Sequence, residues 1–400
     1  MSDFFQNGVI ATFHRLGPIN LKRLEDDLLE FSQKRPISLI LPSLYREYSS
    51  GALPKIMHEL RKAEYIDEIV LCLDRATRRE FGSVKKAFSQ AKNLTIVWND
   101  SPRMKAIYRL LEKNDLSPGK EGKGRAVWIS FGYVLARGRS RVIALHDCDI
   151  VNYDRSLLGR LCYPVANPHS EYEFCKGYYA RVTDRMHGRV TRLFFTPFIR
   201  ALERMIGYLP FLTYLDSFRY PLAGEMALRR DLAVAMRIPG DWGLEVGTLA
   251  EVYRNMSLNR ICQADIAEAY EHKHQPLSAQ DSERGLMKMT VDIAKSIFRT
   301  LAGEGVQFSE GFFKTLSNIY LKTAQEAIVR YQNDSEINCL HFDRHAESTA
   351  VESFTGAIKI AGEAFWQNPF EILLIPSWHR VIAAIPEIHG RLEEAVSADR

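Results

Sequence analysis

The sequence contains no uninterrupted apolar run of the roughly 18 residues that a membrane-spanning helix requires. Its best candidate, "FIRALERMIGYLPFLTYLDSF", is broken by Arg200, Glu203, Arg204 and Asp216. The N-terminal "MSDFFQNGVIATFHRLGPIN" has no basic stretch leading into an apolar one, so no secretory signal is expected. These absences predict a cytoplasmic protein with no membrane partner. The six cysteines (Cys72, Cys148, Cys162, Cys175, Cys262 and Cys339) never fall in C-x-x-C spacing. That argues against a zinc site or a disulfide framework. The 53 basic residues nearly balance 49 acidic ones, and no Lys/Arg stripe stands out, which leaves no footprint for nucleic acid. Internal repeats and low-complexity segments are also missing.

What remains is an ordinary globular composition of 46% hydrophobic and 26% charged residues over 400 positions, enough for a large core and more than one unit. "LKRLEDDLLEFSQ" (21–33) carries apolar residues at helical spacing. Short apolar runs then alternate with helical stretches: "ISLILP" (37–42), "IDEIVLCLD" (66–74), "LTIVW" (94–98) and "RVIALHD" (141–147). Such alternation predicts βαβ units and a mostly parallel sheet, whose ligands lie beyond the carboxyl ends of the strands. Pro42, Asp74 and Asp147 all fall at those ends, pointing to one crevice. From about residue 280 the periodicity becomes helical throughout. The expected division is an N-terminal helical segment (1–34), an α/β unit (35–285) and an all-helical C-terminal region (286–400).

Several stretches could carry chemistry. Asp147-Cys148-Asp149 ends an apolar strand, and paired carboxylates are hard oxygen ligands for Mg²⁺ or Mn²⁺. The same pair could equally cap a helix or a turn. "SPGKEGKGRAVW" (117–128) sets glycines and Lys123 before a helix, an arrangement that favours an anion. It is not a phosphate-binding P-loop, because Gly124 stands where Ser or Thr should bind Mg²⁺, and it lacks G-x-G-x-x-G. Gly188 and Arg189 lie among Arg181, Arg185 and Arg192, whose forks match phosphate or carboxylate. A solvated basic face is the plainer reading of that cluster. Glu225 and Glu245 could bind sugar hydroxyls or serve as ion-pair partners. "YEHKHQPL" (270–277) offers an imidazole as a further metal ligand.

Taken in order, "LPSLYRE", "GKGRAVW", "HDCDI", "FCKGYYAR", "GRVTRLFFTP", "PLAGEMALRR", "GLEVGTLAEV" and "HKHQPLS" resemble retaining nucleotide-sugar glycosyltransferases of the GT-A type, in particular bacterial glucosyl-3-phosphoglycerate synthases. The resemblance covers roughly residues 35–285. It implies a GT-A fold, Rossmann-like with a mostly parallel sheet. It implies transfer of glucose from an NDP-glucose (UDP or GDP) to the 2-hydroxyl of 3-phosphoglycerate, with Mg²⁺ or Mn²⁺. Pro42, Ser43, Leu44, Glu47, Lys123 and Asp147 would contact the donor's nucleotide part. Leu222, Ala223 and Gly224 would line the sugar pocket. Asp149 and His272 would hold the metal, and Gly188, Arg189 and Thr191 the acceptor. Glu245 would bind sugar hydroxyls, or form a covalent adduct if attack is not front-face. A homodimer is also implied, with the C-terminal helices as its candidate interface. The chain departs from the family pattern at Tyr45, where Asn is expected, and at Tyr270, where Arg is expected. Rival readings are a mannosyl donor, free glycerate as acceptor, a nucleotidyltransferase, or a non-catalytic binding module.

Overall fold

The structure is a computed structural model, and it describes residues 6, 8–240, 243–268, 285–369 and 374–399. The strands are β1 (Ala11–Phe13), β2 (Ile37–Leu44), β3 (Ile66–Asp74), β4 (Leu94–Trp98) and β5 (Val142–Leu145). They continue as β6 (Phe174–Tyr179), β7 (Met226–Arg229), β8 (Ile238–Pro239), β9 (Ile261–Ala267) and β10 (Leu374–Ile375). Between them run the helices α1 (Leu21–Lys34), α2 (Tyr45–Ser49), α3 (Ala52–Leu60), α4 (Arg78–Ala87), α5 (Pro102–Lys113) and α6 (Lys123–Arg137). Next come α7 (Arg155–Ala166), α8 (Thr196–Ile206), α9 (Pro210–Asp216), α10 (Arg230–Ala235) and α11 (Leu244–Asn255). The C-terminal helices are α12 (Gly285–Gly303), α13 (Glu310–Ile337), α14 (Arg344–Gln367), α15 (Trp378–Ala384) and α16 (Ile388–Ser397).

Eight strands form one sheet in the order β1-β9-β6-β7-β5-β2-β3-β4. Only β7 is antiparallel to its neighbours, β5 and β6. The remaining neighbours pair in parallel. Both faces are covered, which is why the strands read as continuous apolar runs. Val70 and Cys72 of β3 enter one core, while Ile69, Leu71 and Leu73 enter the other. That is the period of two expected of a pleated strand.

Three expectations need correction. β2 does not stop at Pro42 but runs on to Leu44. The proline is tolerated because β5 pairs with β2 only as far as Ile40, leaving Pro42 a neighbour on one side alone, β3. The N-terminal segment is not purely helical: β1 joins the sheet edge against β9. Three residues are too short to show periodicity in a sequence. The C-terminal region is not all helix either, since β10 pairs antiparallel with β8.

The C-terminal helices also share the main core rather than building their own. Phe298 and Phe354 belong to the same apolar cluster as Ile40 and Leu145. Trp378 stacks on Trp128 of α6 with ring centroids 4.6 Å apart. A Cβ at Gly132 would lie 1.9 Å from the Trp378 ring, so close packing there requires glycine. The helix that begins with Lys123 is therefore fixed from the C-terminal side.

Candidate active site

At the carboxyl ends of β2, β3 and β5 the chain collects charge. Lys123, the first residue of α6, reaches Asp147 Oδ1 at 2.6 Å and Glu245 Oε1 at 3.1 Å. Burial alone would lower the Lys123 pKa, but Asp147 and Glu245 outweigh it and raise the value far above normal. Glu245 lies buried in the first turn of α11, so three segments separated by up to 122 residues meet at one ammonium. Asp149 sits beside them. Its carboxyl is pushed well above the ordinary range by burial first and by the charge of Asp147 second, with Lys123 opposing. The crevice thus holds more carboxylates than its lysine offsets.

The loop bearing Asp147 and Asp149 is pinned at His146. Its Nδ1–H donates to the Asp147 carbonyl at 2.9 Å, and its Nε2 accepts from the Tyr153 hydroxyl at 3.2 Å. Burial lowers the His146 pKa to about 4, so the ring stays neutral in this role. Opposite Asp147 lies Gly224. A Cβ there would come within 2.6 Å of Asp147 Oδ2, so only glycine lets backbone and carboxylate approach this closely. Leu222 and Ala223 are buried just before it.

Pro42, Ser43 and Leu44 form the end of β2, next to the Asp74 end of β3. Asp74 is buried, and its pKa is raised by burial and then by Asp100. Glu47 turns inward and accepts from Leu44 N–H at 2.7 Å and from Arg46 Nε at 2.7 Å. It shapes the strand end. Gly188, Arg189 and Thr191 lie at the start of a π-helical segment (Val190–Phe195). Gly188 adopts φ 70°, a left-handed conformation that favours glycine. Arg189 donates from Nε to Glu347 Oε1 at 2.8 Å. Tyr220 links this segment to the crevice: it accepts from Arg181 at 3.0 Å, and its ring lies 3.5 Å from where a Gly188 Cβ would be. His272 lies outside the described residues.

Four residues important to this arrangement escaped sequence reasoning. Lys176, fully buried in β6, donates from Nζ to the Ala223 carbonyl at 2.5 Å. Tyr179 donates to the buried Glu225 at 2.8 Å. A lysine inside the apolar "FCKGYY" was a visible signal; the tyrosine was not. Tyr220 and Glu347 gave no local sign at all.

The donor chemistry fits a divalent cation. Asp147 and Asp149 supply hard oxygens in a site with surplus negative charge, as Mg²⁺ or Mn²⁺ requires. Among the described residues no three His, Cys, Asp or Glu side chains converge on a metal-sized point.

Carboxylates at strand ends, a glycine-led lysine and a mostly parallel sheet match the nucleotide-sugar transferase class that the sequence motifs resemble. No family model matches the chain. It is 51% identical over 400 residues to a glucosyl-3-phosphoglycerate synthase from Persephonella marina, covering 100% of this chain and 99% of that one. A second, from Methanococcoides burtonii, is 39% identical, with 99% and 98% coverage. The chain belongs to the glucosyl-3-phosphoglycerate synthase family and is a glycosyltransferase. Its fold matches the solved glucosyl-3-phosphoglycerate synthase of Mycobacterium tuberculosis in complex with Mn²⁺, UDP-glucose and phosphoglyceric acid. The TM-score is 0.53 at 22% identity, over 75% of this chain and 89% of that one. Among the described residues no helix is long and apolar enough to cross a membrane.

Proposed function

We propose that the chain transfers glucose from a nucleoside-diphosphate glucose to the 2-hydroxyl of 3-phosphoglycerate with retention of configuration. The observation that carries this reading is the junction of Lys123, Asp147 and Glu245 beside Asp149, in a chain of this family. Asp149, with His272, would hold Mg²⁺ or Mn²⁺ there, beside Asp147, which would lie near the ribose and diphosphate. When bound, the ion would neutralise charge developing on the diphosphate leaving group. Lys123 would add a fixed cation at the same place, pre-oriented by its two carboxylates. Glu245, already engaged by Lys123, would accept from sugar hydroxyls, while Leu222, Ala223 and Gly224 form the wall behind the sugar. Pro42, Ser43 and Leu44 would bound the nucleotide at the end of β2, with Glu47 keeping that end in shape.

The acceptor is an anion and needs cations, which the Gly188–Arg192 segment supplies. Front-face attack suits a site whose carboxylates are committed to lysine and metal. The C1–O bond to the diphosphate breaks as the acceptor oxygen bonds to C1 on the same face, and the hydroxyl proton leaves with the diphosphate. We assign catalysis to residues 35–285, preceded by the 1–34 segment and buttressed by 286–400, and place the protein in the cytoplasm, where its free thiols persist. The decisive experiment is nucleoside-diphosphate release with Mg²⁺. It crosses UDP- and GDP-linked glucose and mannose with 3-phosphoglycerate and glycerate. Release that requires a glucosyl donor and 3-phosphoglycerate is expected. Release with glycerate alone would overturn the acceptor assignment.

A further inference from the structure

We propose that Glu347 is a positioning residue of the acceptor site, so that α14 of the C-terminal region takes part in recognising the acceptor. The proposal rests on the reading of Arg189 as an acceptor-binding residue.

Glu347 is buried in the first turn of α14 and meets two arginines of the "GRVTR" segment at once. Its Oε1 accepts from Arg189 Nε at 2.8 Å, and its Oε2 pairs with Arg192 Nη1 at 3.0 Å. The two arginines are used differently. Arg192 also donates from Nε to the His187 carbonyl at 2.9 Å and from Nη2 to the Met186 carbonyl at 3.3 Å. Its guanidinium stacks over Tyr331 of α13, 4.9 Å from the ring centroid. Nε and Nη2 of Arg192 are thus committed to holding the loop, while Nη1 lies within ion-pair distance of Glu347 without forming a hydrogen bond. Arg189, about a third exposed, is gripped among the described residues through Nε. A planar guanidinium held at Nε presents its two Nη groups as a fixed fork, the geometry that takes two oxygens of a phosphate or carboxylate. One carboxylate against two arginines leaves a net positive charge, so the site still attracts an anion.

Two further contacts from the same region support this reading. The His341 N–H donates to the Asp184 carbonyl at 2.8 Å, ahead of the arginine segment. The Tyr320 hydroxyl of α13 donates to the Leu193 carbonyl at 2.7 Å, behind it. The segment is clamped at both ends and in the middle by α13, α14 and the residues joining them. Such π-helical turns concentrate at functional sites, where an irregular backbone has to be held by its surroundings.

The test is steady-state kinetics on the full chain with Glu347→Ala, Glu347→Gln and Arg189→Ala, using UDP-glucose and 3-phosphoglycerate. Glu347→Ala should raise the acceptor KM about tenfold or more, with the donor KM within about twofold of the parent. Glu347→Gln keeps the volume and an oxygen for Arg189 Nε–H, so its rise should be smaller, about threefold. An acceptor KM unchanged in the glutamine and alanine variants would overturn the proposal, and so would an equal rise in both KM values. An unchanged acceptor KM in Arg189→Ala would instead overturn the role of Arg189 itself.

Discussion

The carboxylate crevice and the arginine segment, proposed as the donor and acceptor sites for two anions, carry opposite charges. In the crevice Lys123 pairs with both Asp147 and Glu245, and Asp149 adds a further acid. In the segment a single carboxylate, Glu347, faces two arginines. A site with surplus negative charge repels a diphosphate unless a metal reverses its sign. A site with surplus arginine needs no such helper. The contrast teaches that the donor side should depend on a divalent cation and the acceptor side on guanidinium geometry.

The strongest way to break the comparison is at Asp149. Asp149→Ala should lower turnover by about a thousandfold or more while leaving the circular dichroism spectrum unchanged. UDP with Mg²⁺ or Mn²⁺ is expected to raise the melting temperature of the parent, and chelation of the cation should abolish that rise. Near-parental activity in Asp149→Ala would remove this residue from the metal site. Next in size is Arg189→Ala, expected to raise the acceptor KM about tenfold to a hundredfold with the donor KM nearly constant. A raised donor requirement with unchanged phosphoglycerate dependence would dissolve the division of labour between the two regions.

Gly224→Ala should act on the crevice alone. Its new Cβ would press on Asp147, and a loss of about tenfold in kcat/KM for the donor is expected, with the acceptor KM unaffected. The last effect falls on stability rather than on turnover and concerns Lys176, which donates to the Ala223 carbonyl. Burial, opposed by Glu245 and Glu225, lowers its pKa from 10.5 to about 8. Between those values the unfolded chain holds this proton and the folded chain does not, so stability rises with pH across the window. The contribution is at most about 3 kcal/mol. Urea unfolding at about pH 7.5 and about pH 10 should show the rise in the parent and a flatter response in Lys176→Met. Identical responses would mean that Lys176 keeps its charge.

Much of the crevice was legible because it is built at strand ends. "IDEIVLCLD" and "LTIVW" gave β3 and β4 to the residue, since strands buried on both faces leave unbroken apolar runs. Asp147 and Asp149 stood out because carboxylates after such a run need an explanation. The arginine segment was legible only as a cluster. That Arg189 is held at Nε, while Arg192 is tied to the loop carbonyls, depends in part on Glu347, 158 residues further along the chain.

By itself the sequence determined the alternation of strand and helix, the strand ends that carry chemistry, and the family. These follow from local periodicity and from short ordered motifs. The tertiary structure alone decided that Lys123 bridges Asp147 and Glu245, that Gly224 lies against the Asp147 carboxylate, and that the C-terminal helices grip Arg189 and Arg192. The physical reason is range. Periodicity reports which face of an element is buried, whereas an ion pair between distant residues forms only when packing fixes both backbones within a few ångströms of the required place.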